Sequence, residues 1–393
     1  MLESSFTEKD DGLYLMFSAD QLHSAKSTWT AKEIAQQPAM WRQVSEQHNQ
    51  KSPEIMAWLA PMLAKPNLQI VLTGAGTSAY IGDALAAHVK QHLPLATQSV
   101  VALSTTDIVS HPQLHLARQT PTLLISYGRS GNSPESMAAV ELAEQLVDEC
   151  YHLAITCNGE GKLARYCADK PQCYVYQLPD ETHDVSFAMT SSFTCMYLAT
   201  LLIFAPEPQA LAHVCAVADE ILSEHLPHIR AQAEVSCQRM VFLGAGPLKA
   251  IAQEAALKYL ELTAGKVVSS FESPLGFRHG PKSIIDGATQ VMIMASSNPY
   301  SCQYDHDLQH ELERDGEALS ILSLNQSLFK VNSAKDAIVL AEVWLGLPYI
   351  LWCQLLAIYK AIQLGVSADN PCPTGQVNRV VQGVTLYPLS IKG

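Results

Sequence analysis

Three stretches of this 393-residue chain set reactive side chains at spacings that could do chemistry. The first is YGRSGNSPES, residues 127–136, which follows the apolar run TLLIS (122–126) and precedes the helix-like MAAVELAEQLV (137–147). A strand, a loop of small polar residues and a helix start bring free backbone N–H groups and a helix dipole to one point, which makes an anion cradle. The loop lacks the lysine of G-x-x-x-x-G-K-[ST], so it does not read as a nucleoside triphosphate site. The second stretch carries Glu254, Lys258 and Glu261 at i, i+4 and i+7, hence on one helical face. An arbitrary helix with this pattern carries a solvated Glu–Lys pair, worth little. Here the apolar neighbours Ile251, Ala255, Leu257 and Leu260 bury much of the helix, and FRHGP (277–281) follows closely, presenting His279 from a Gly and Pro loop. A carboxylate with a loop imidazole can serve as proton shuttle and acid–base pair.

The elements that must position these groups show in a comparison of the chain with itself. QIVLTGAGTSAYIGDALAAHV (69–89) and RMVFLGAGPLKAIAQEAALKY (239–259) share an apolar strand, Gly-Ala-Gly and a helix at an offset of 170 residues. At that offset TLLISYGRS (122–130) lies over MIMASSNPY (292–300), and HLAITCN (152–158) and ALSILSLN (318–325) read as third strands. Short apolar runs alternating with helical segments predict an α/β unit used twice, each a parallel sheet covered on both faces. Helices are expected to start near Ala79 and Pro247, and two more to fill residues 20–64 around Gln37-Pro38. The first-copy loop keeps Ser126, Arg129, Ser130, Asn132 and Ser133, whereas the second has Ser296-Ser297-Asn298-Pro299-Tyr300, so an anion is expected in the first copy.

Composition narrows the ligand. Charged residues make up 16% of the chain, the net charge is -13 and there is no basic run, which argues against nucleic acid or anionic membrane as partner. The ten cysteines form no C-x-x-C pair or zinc spacing, so buried reduced thiols and a cytoplasmic setting are expected. Residues 1–12 have neither a basic nor an apolar leader region, and the hydrophobic stretches at 193–205 and 343–358 read as buried helices. Gly74 and Gly76 do not complete G-x-G-x-x-G, which argues against a dinucleotide. Trp344, Tyr349 and Trp352 are expected in the core.

Gly76-Thr77-Ser78, Ser130-Gly131-Asn132-Ser133, Ala256-Leu257-Lys258-Tyr259-Leu260-Glu261 and His279-Gly280-Pro281 match, in order, motifs of the sugar isomerase (SIS) family. From about residue 30 onward the chain resembles the isomerase half of glucosamine-6-phosphate synthase. The resemblance implies two SIS domains of flavodoxin- or Rossmann-like three-layer αβα type, at 51–210 and 211–366, with a helical segment at 1–50 and a tail at 367–393 closing the site. It implies that Thr77, Ser78, Ser130, Asn132 and Ser133 hold a 6-phosphate, that Glu261 moves a proton between C1 and C2 with Lys258 beside it, and that His279 opens the sugar ring across a homodimer interface. Asp184 falls where the family has a glutamate near the substrate, and Gln382 about where the synthase tail has a lysine. No metal or redox cofactor is implied.

Two departures stand out. Gly128 replaces a family serine, and Arg129 beside it either grips the anion bidentately or points to solvent. Without a glutaminase domain nothing supplies ammonia, so its release is the natural direction. The chain looks most like the galactosamine-6-phosphate deaminase and isomerase branch; aldose–ketose isomerisation, glucosamine 6-phosphate as substrate and a non-catalytic sugar-phosphate sensor are the rivals. His183 beside Asp184 is a second-tier dyad, and the cysteines lack an activating base.

Overall fold

The computed structural model describes residues 13–333 and 338–390, so the expectation about residues 1–12 lies outside them. Five strands form the first sheet: β1 (Gln69–Gly74), β2 (Ser99–Ser104), β3 (Thr122–Gly128), β4 (Cys150–Thr156) and β5 (Cys173–Gln177), in the order β2-β1-β3-β4-β5. Four more form the second: β6 (Arg239–Gly244), β7 (Val268–Glu272), β8 (Thr289–Met294) and β9 (Ser320–Leu324), in the order β9-β8-β6-β7. All pairings in both sheets are parallel, and both orders place the unit's first strand between its second and its third. The chain therefore reverses its direction of winding between β1 and β3, and again between β6 and β8. In open parallel sheets the crevice beyond the strand ends at such a point is where ligands bind.

The central strands are buried along their whole length, as β3 (TLLISYG) and β8 (TQVMIM) are, which is why their apolar runs are legible in sequence. The strands the sequence does not announce, β2, β5 and β7, are all edge strands and only partly buried. Half-buried edges carry mixed patterns, and VSSFE has little to mark it as a strand.

Seven helices matter for the site: α1 (Thr28–Ala35), α2 (Gln37–Leu63), α3 (Thr77–Gln91), α4 (Pro134–Leu146), α5 (Ser191–Phe204), α6 (Pro247–Leu262) and α7 (Glu342–Gln363). The helix expected near Ala79 starts two residues earlier, because Gly76 turns the chain at φ 54°, ψ -128°; Gly246 does the same before α6 at φ 55°, ψ -129°. That region admits glycine almost alone, so the repeated Gly-Ala-Gly records one backbone device built twice. α3 and α6 pack against each other and α7 packs along α6. α7 is long and apolar enough to cross a membrane, but 94% of its apolar window is buried inside the protein. Trp344, Tyr349 and Trp352 are fully buried, with the indole N–H of Trp344 on Glu207 and that of Trp352 on Gln232. All ten cysteines are free, and seven are buried. Past α7, the Asp369 carboxylate accepts from the amides of Trp29 (3.1 Å) and Thr30 (2.8 Å), capping α1.

Candidate active site

Because β1 and β3 are neighbours, the N-termini of α3 and α4 open side by side. Thr77 and Ser78 begin α3; Ser133 caps α4, its Oγ accepting from the Ser136 amide (3.3 Å). Ser130 Oγ accepts from the Asn132 amide (3.3 Å), which tightens the turn, and Ser126 Oγ is buried without a hydrogen-bond partner. The Asn132 side chain is turned away: its Oδ1 accepts from the Lys162 amide (3.0 Å). A Cβ on Gly128 would come within 3.1 Å of Gly131 Cα and 3.2 Å of its amide nitrogen, so the turn closes where the family serine would stand. The corresponding loop after β8 is filled by the chain's own carboxylates: Asp305 accepts from the Ser296 amide (2.8 Å) and Glu342 takes its hydroxyl. That leaves the first copy as the open cradle.

Of the residues on α6, Lys258 is 1% exposed and Glu254 not at all, while the Glu261 side chain keeps 24% of its surface open. The solvated-face reading thus fails for two of the three. Lys258 Nζ pairs closely with Glu261 and lies 3.7 Å from Glu254. Burial opposes the Lys258 ammonium, but Glu254 and Glu261 outweigh it and hold its pKa above the ordinary lysine value. Lys258 therefore acts on anything in the site through Glu261, whose carboxylate oxygen it holds in place. Glu254 is not among the site residues read from sequence, since spacing gives the face of a helix but not what covers it. Neither of its oxygens has a hydrogen-bond partner, and burial pushes its carboxyl up to about 8, Lys258 pulling it back only in part.

Glu254 makes stability depend on pH. Its pKa is higher in the folded protein than the ordinary 4.5, so its contribution is complete below that value, drains away as pH rises and is gone above about 8. The urea midpoint should fall between pH 5 and 8, and Glu254→Gln should flatten that fall by about 1.4 kcal/mol for each pH step of one. An unchanged slope in the variant would rule out the neutral buried carboxyl. Glu33, raised to about 8 by burial and by Asp184, supplies a slope in the same sense that remains.

Two expected substrate residues are engaged by the chain's own groups. Asp184 is fully buried, and its oxygens accept from the amides of Thr190 (2.7 Å), Ser191 (3.2 Å) and Ser192 (2.9 Å) and from the Thr190 and Ser192 hydroxyls. It caps α5 and has no lone pair to offer a sugar or His183, whose Nε2 is buried without a partner. Arg129 does not point to solvent: it is 6% exposed, and its guanidinium donates to the carbonyls of Ser186, Phe187 and Arg379. His279 is exposed beside Gly280 and makes no side-chain hydrogen bond to a described residue, and the same holds for Gln382 in the tail.

A SIS domain family model matches residues 62–206, the unit that holds the open cradle. A D-galactosamine-6-phosphate deaminase AgaS from Shewanella sp. (strain ANA-3) is 71% identical over 385 residues, covering 98% of each chain. The chain belongs to the AgaS family of SIS proteins. Another AgaS protein, the D-galactosamine-6-phosphate deaminase of Escherichia coli O157:H7, is 41% identical over 93% of this chain and 97% of its own. The crystal structure of tagatose-6-phosphate ketose/aldose isomerase from Escherichia coli superposes with a TM-score of 0.82 at 38% identity, covering 94% of this chain and 98% of that one. The AgaS fold reaches further: the C-terminal domain of glucosamine-fructose-6-phosphate aminotransferase from Francisella tularensis gives 0.68 at 18% identity, covering 87% and 98%.

Proposed function

We propose that this chain converts D-galactosamine 6-phosphate and water to D-tagatose 6-phosphate and ammonia, as a cytoplasmic enzyme of amino-sugar breakdown. The observation that carries the reading is the 71% identity, end to end, with a D-galactosamine-6-phosphate deaminase. The site's geometry is compatible with the following mechanism. The 6-phosphate sits on the amides of 129–133 with the Ser78, Ser130 and Ser133 hydroxyls, a monophosphate needing no P-loop lysine. His279, brought by a second copy of the chain, moves the ring-oxygen and O1 protons as the sugar opens. The free aldehyde acidifies the C2–H, and Glu261 takes that proton, leaving an enaminol between C1 and C2. Glu261 returns the proton to C1, which gives a C2 imine, and water adds to C2 as ammonia departs.

Pure protein mixed with D-galactosamine 6-phosphate should release ammonia and ketose phosphate in equal amounts, and much less with D-glucosamine 6-phosphate. Ketose without ammonia from a 2-hydroxy sugar phosphate, and none from the amino sugar, would replace this reading with the ketose/aldose isomerisation named for the solved E. coli relative. The homodimer is checked by mixing Glu261→Gln and His279→Gln proteins, since hybrid dimers recover one intact site.

A further inference from the structure

The segment from residue 372 to 390 lies largely on the surface, and Arg379 and Val380 in its middle are half-buried. What holds it there is an arginine of the phosphate loop. Arg129 Nη1 donates to the carbonyls of Ser186 (3.2 Å) and Phe187 (2.9 Å), and its Nη2 donates to the carbonyl of Arg379 (2.8 Å). Arg379 closes the circuit: its Nε donates to the Ser186 carbonyl (3.1 Å) and its Nη2 to that of Asp184. The Ser186 oxygen thus receives both guanidinium groups.

Segment 184–187, on which both arginines rest, is itself fixed from the other side. Glu33 of α1 accepts from the amides of Val185 and Ser186 (3.1 Å for the second) and from the Ser186 hydroxyl, while the Asp184 side chain caps α5. Amides face Glu33 and carbonyls face the arginines, so the segment is a rigid bracket with a loop and a tail attached to one edge.

The charge balance says what Arg129 is for. It pairs with no carboxylate within 4 Å among the described residues, and burial pulls its guanidinium down to about 10. A buried cation whose hydrogen bonds all end on neutral carbonyls carries a desolvation cost that the more distant Asp184, Glu33 and Glu261 offset only in part. Three of its five N–H donors are spent on backbone, both of those on Nη1 among them, so the end-on Nη1/Nη2 fork is not free for a phosphate.

We propose that Arg129 is a positioning residue that fastens the C-terminal tail over the sugar-phosphate site, through the Arg379 carbonyl and the 184–187 bracket. The proposal rests on the reading of loop 129–133 as the phosphate cradle. Arg129 sits between Gly128 and Ser130, which ties the tail to the edge of the phosphate loop, and a docked tail keeps water from the enaminol until C1 is protonated.

The test uses the full chain as Arg129→Met, Arg129→Lys and Arg379→Met. Thermolysin cleavage within 377–386 is followed without substrate, and inhibition by inorganic phosphate is measured alongside. Hydrogen bonds from a charged group hold the tail, so cleavage in both methionine variants should rise at least about 10-fold, with the lysine variant between them and wild type. The phosphate inhibition constant should stay within about twofold, and kcat should fall with KM little changed. Unchanged tail cleavage in the methionine variants overturns the proposal, whatever phosphate binding does. If Arg129→Met fails to fold, Arg129→Lys decides the matter: it keeps a cation at the site but not the planar guanidinium that reaches Ser186, Phe187 and the Arg379 carbonyl together, so tail cleavage at the wild-type rate in that variant overturns the proposal. The proteolysis needs no turnover, so failure to release ammonia would overturn the proposed reaction and leave this result standing.

Discussion

Glu261→Gln should lower kcat by about 10²–10⁴-fold while the affinity for sugar phosphate stays near wild type. The basis is the asymmetry along α6: of its three ionisable residues at i, i+4 and i+7, Glu261 alone keeps an open surface, and Lys258 pairs with it from below. Glutamine keeps the size and a hydrogen-bonding oxygen, so the phosphate cradle on α3 and α4 is undisturbed. What is lost is the lone pair that takes the C2 proton. Loss of C2–H exchange with solvent deuterium, read by NMR, would locate the defect at that step. A variant that turned over normally would exclude Glu261 as the base, and a wild-type protein that bound sugar phosphate without ever turning over would be a sensor.

Asp184→Ala should be among the most destabilising single changes in the chain, by about 3–5 kcal/mol. Its carboxylate accepts from three successive backbone amides at the start of α5 and from two hydroxyls, all buried. Removing it strands those donors away from water, and asparagine restores the volume but turns an N–H₂ toward one side of them, so it should recover only part of the loss. Urea unfolding of the two variants measures this directly. An unchanged midpoint with a raised KM would return Asp184 to the substrate, where the family resemblance places it.

Glu261 and Asp184 differ in how far residue order reveals them, and the fold shows the same divide. The strand–Gly-Ala-Gly–helix units are legible because a left-handed turn and a close helix approach demand glycine, and the demand recurs at 74, 76, 244 and 246. The central strands show for a related reason: a strand covered on both faces has no polar alternation to confuse. Asp184 misleads because its capping targets, Thr190 to Ser192, lie six to eight residues ahead, beyond the spacing at which a helix cap is sought. Arg129 stays between two readings in sequence because its partners sit at 186, 187 and 379, and local sequence carries no sign of them. Arg379 and Glu33 give no signal at all, a lone cation in a tail and a lone acid in an amphipathic helix. The cradle follows from local geometry; the charges that surround it follow from contacts across the chain.

The carboxylate that completes α1 also sets an order of events in the cell. The amides of Trp29 and Thr30 wait for Asp369, a residue 340 positions after Trp29. A chain emerging from the ribosome has that helix start uncapped, and the apolar faces that α7 covers bare, until residues 342–369 have been made. Asp369 must be synthesised before the native structure can close, and until then the nascent protein is open to chaperones and proteases.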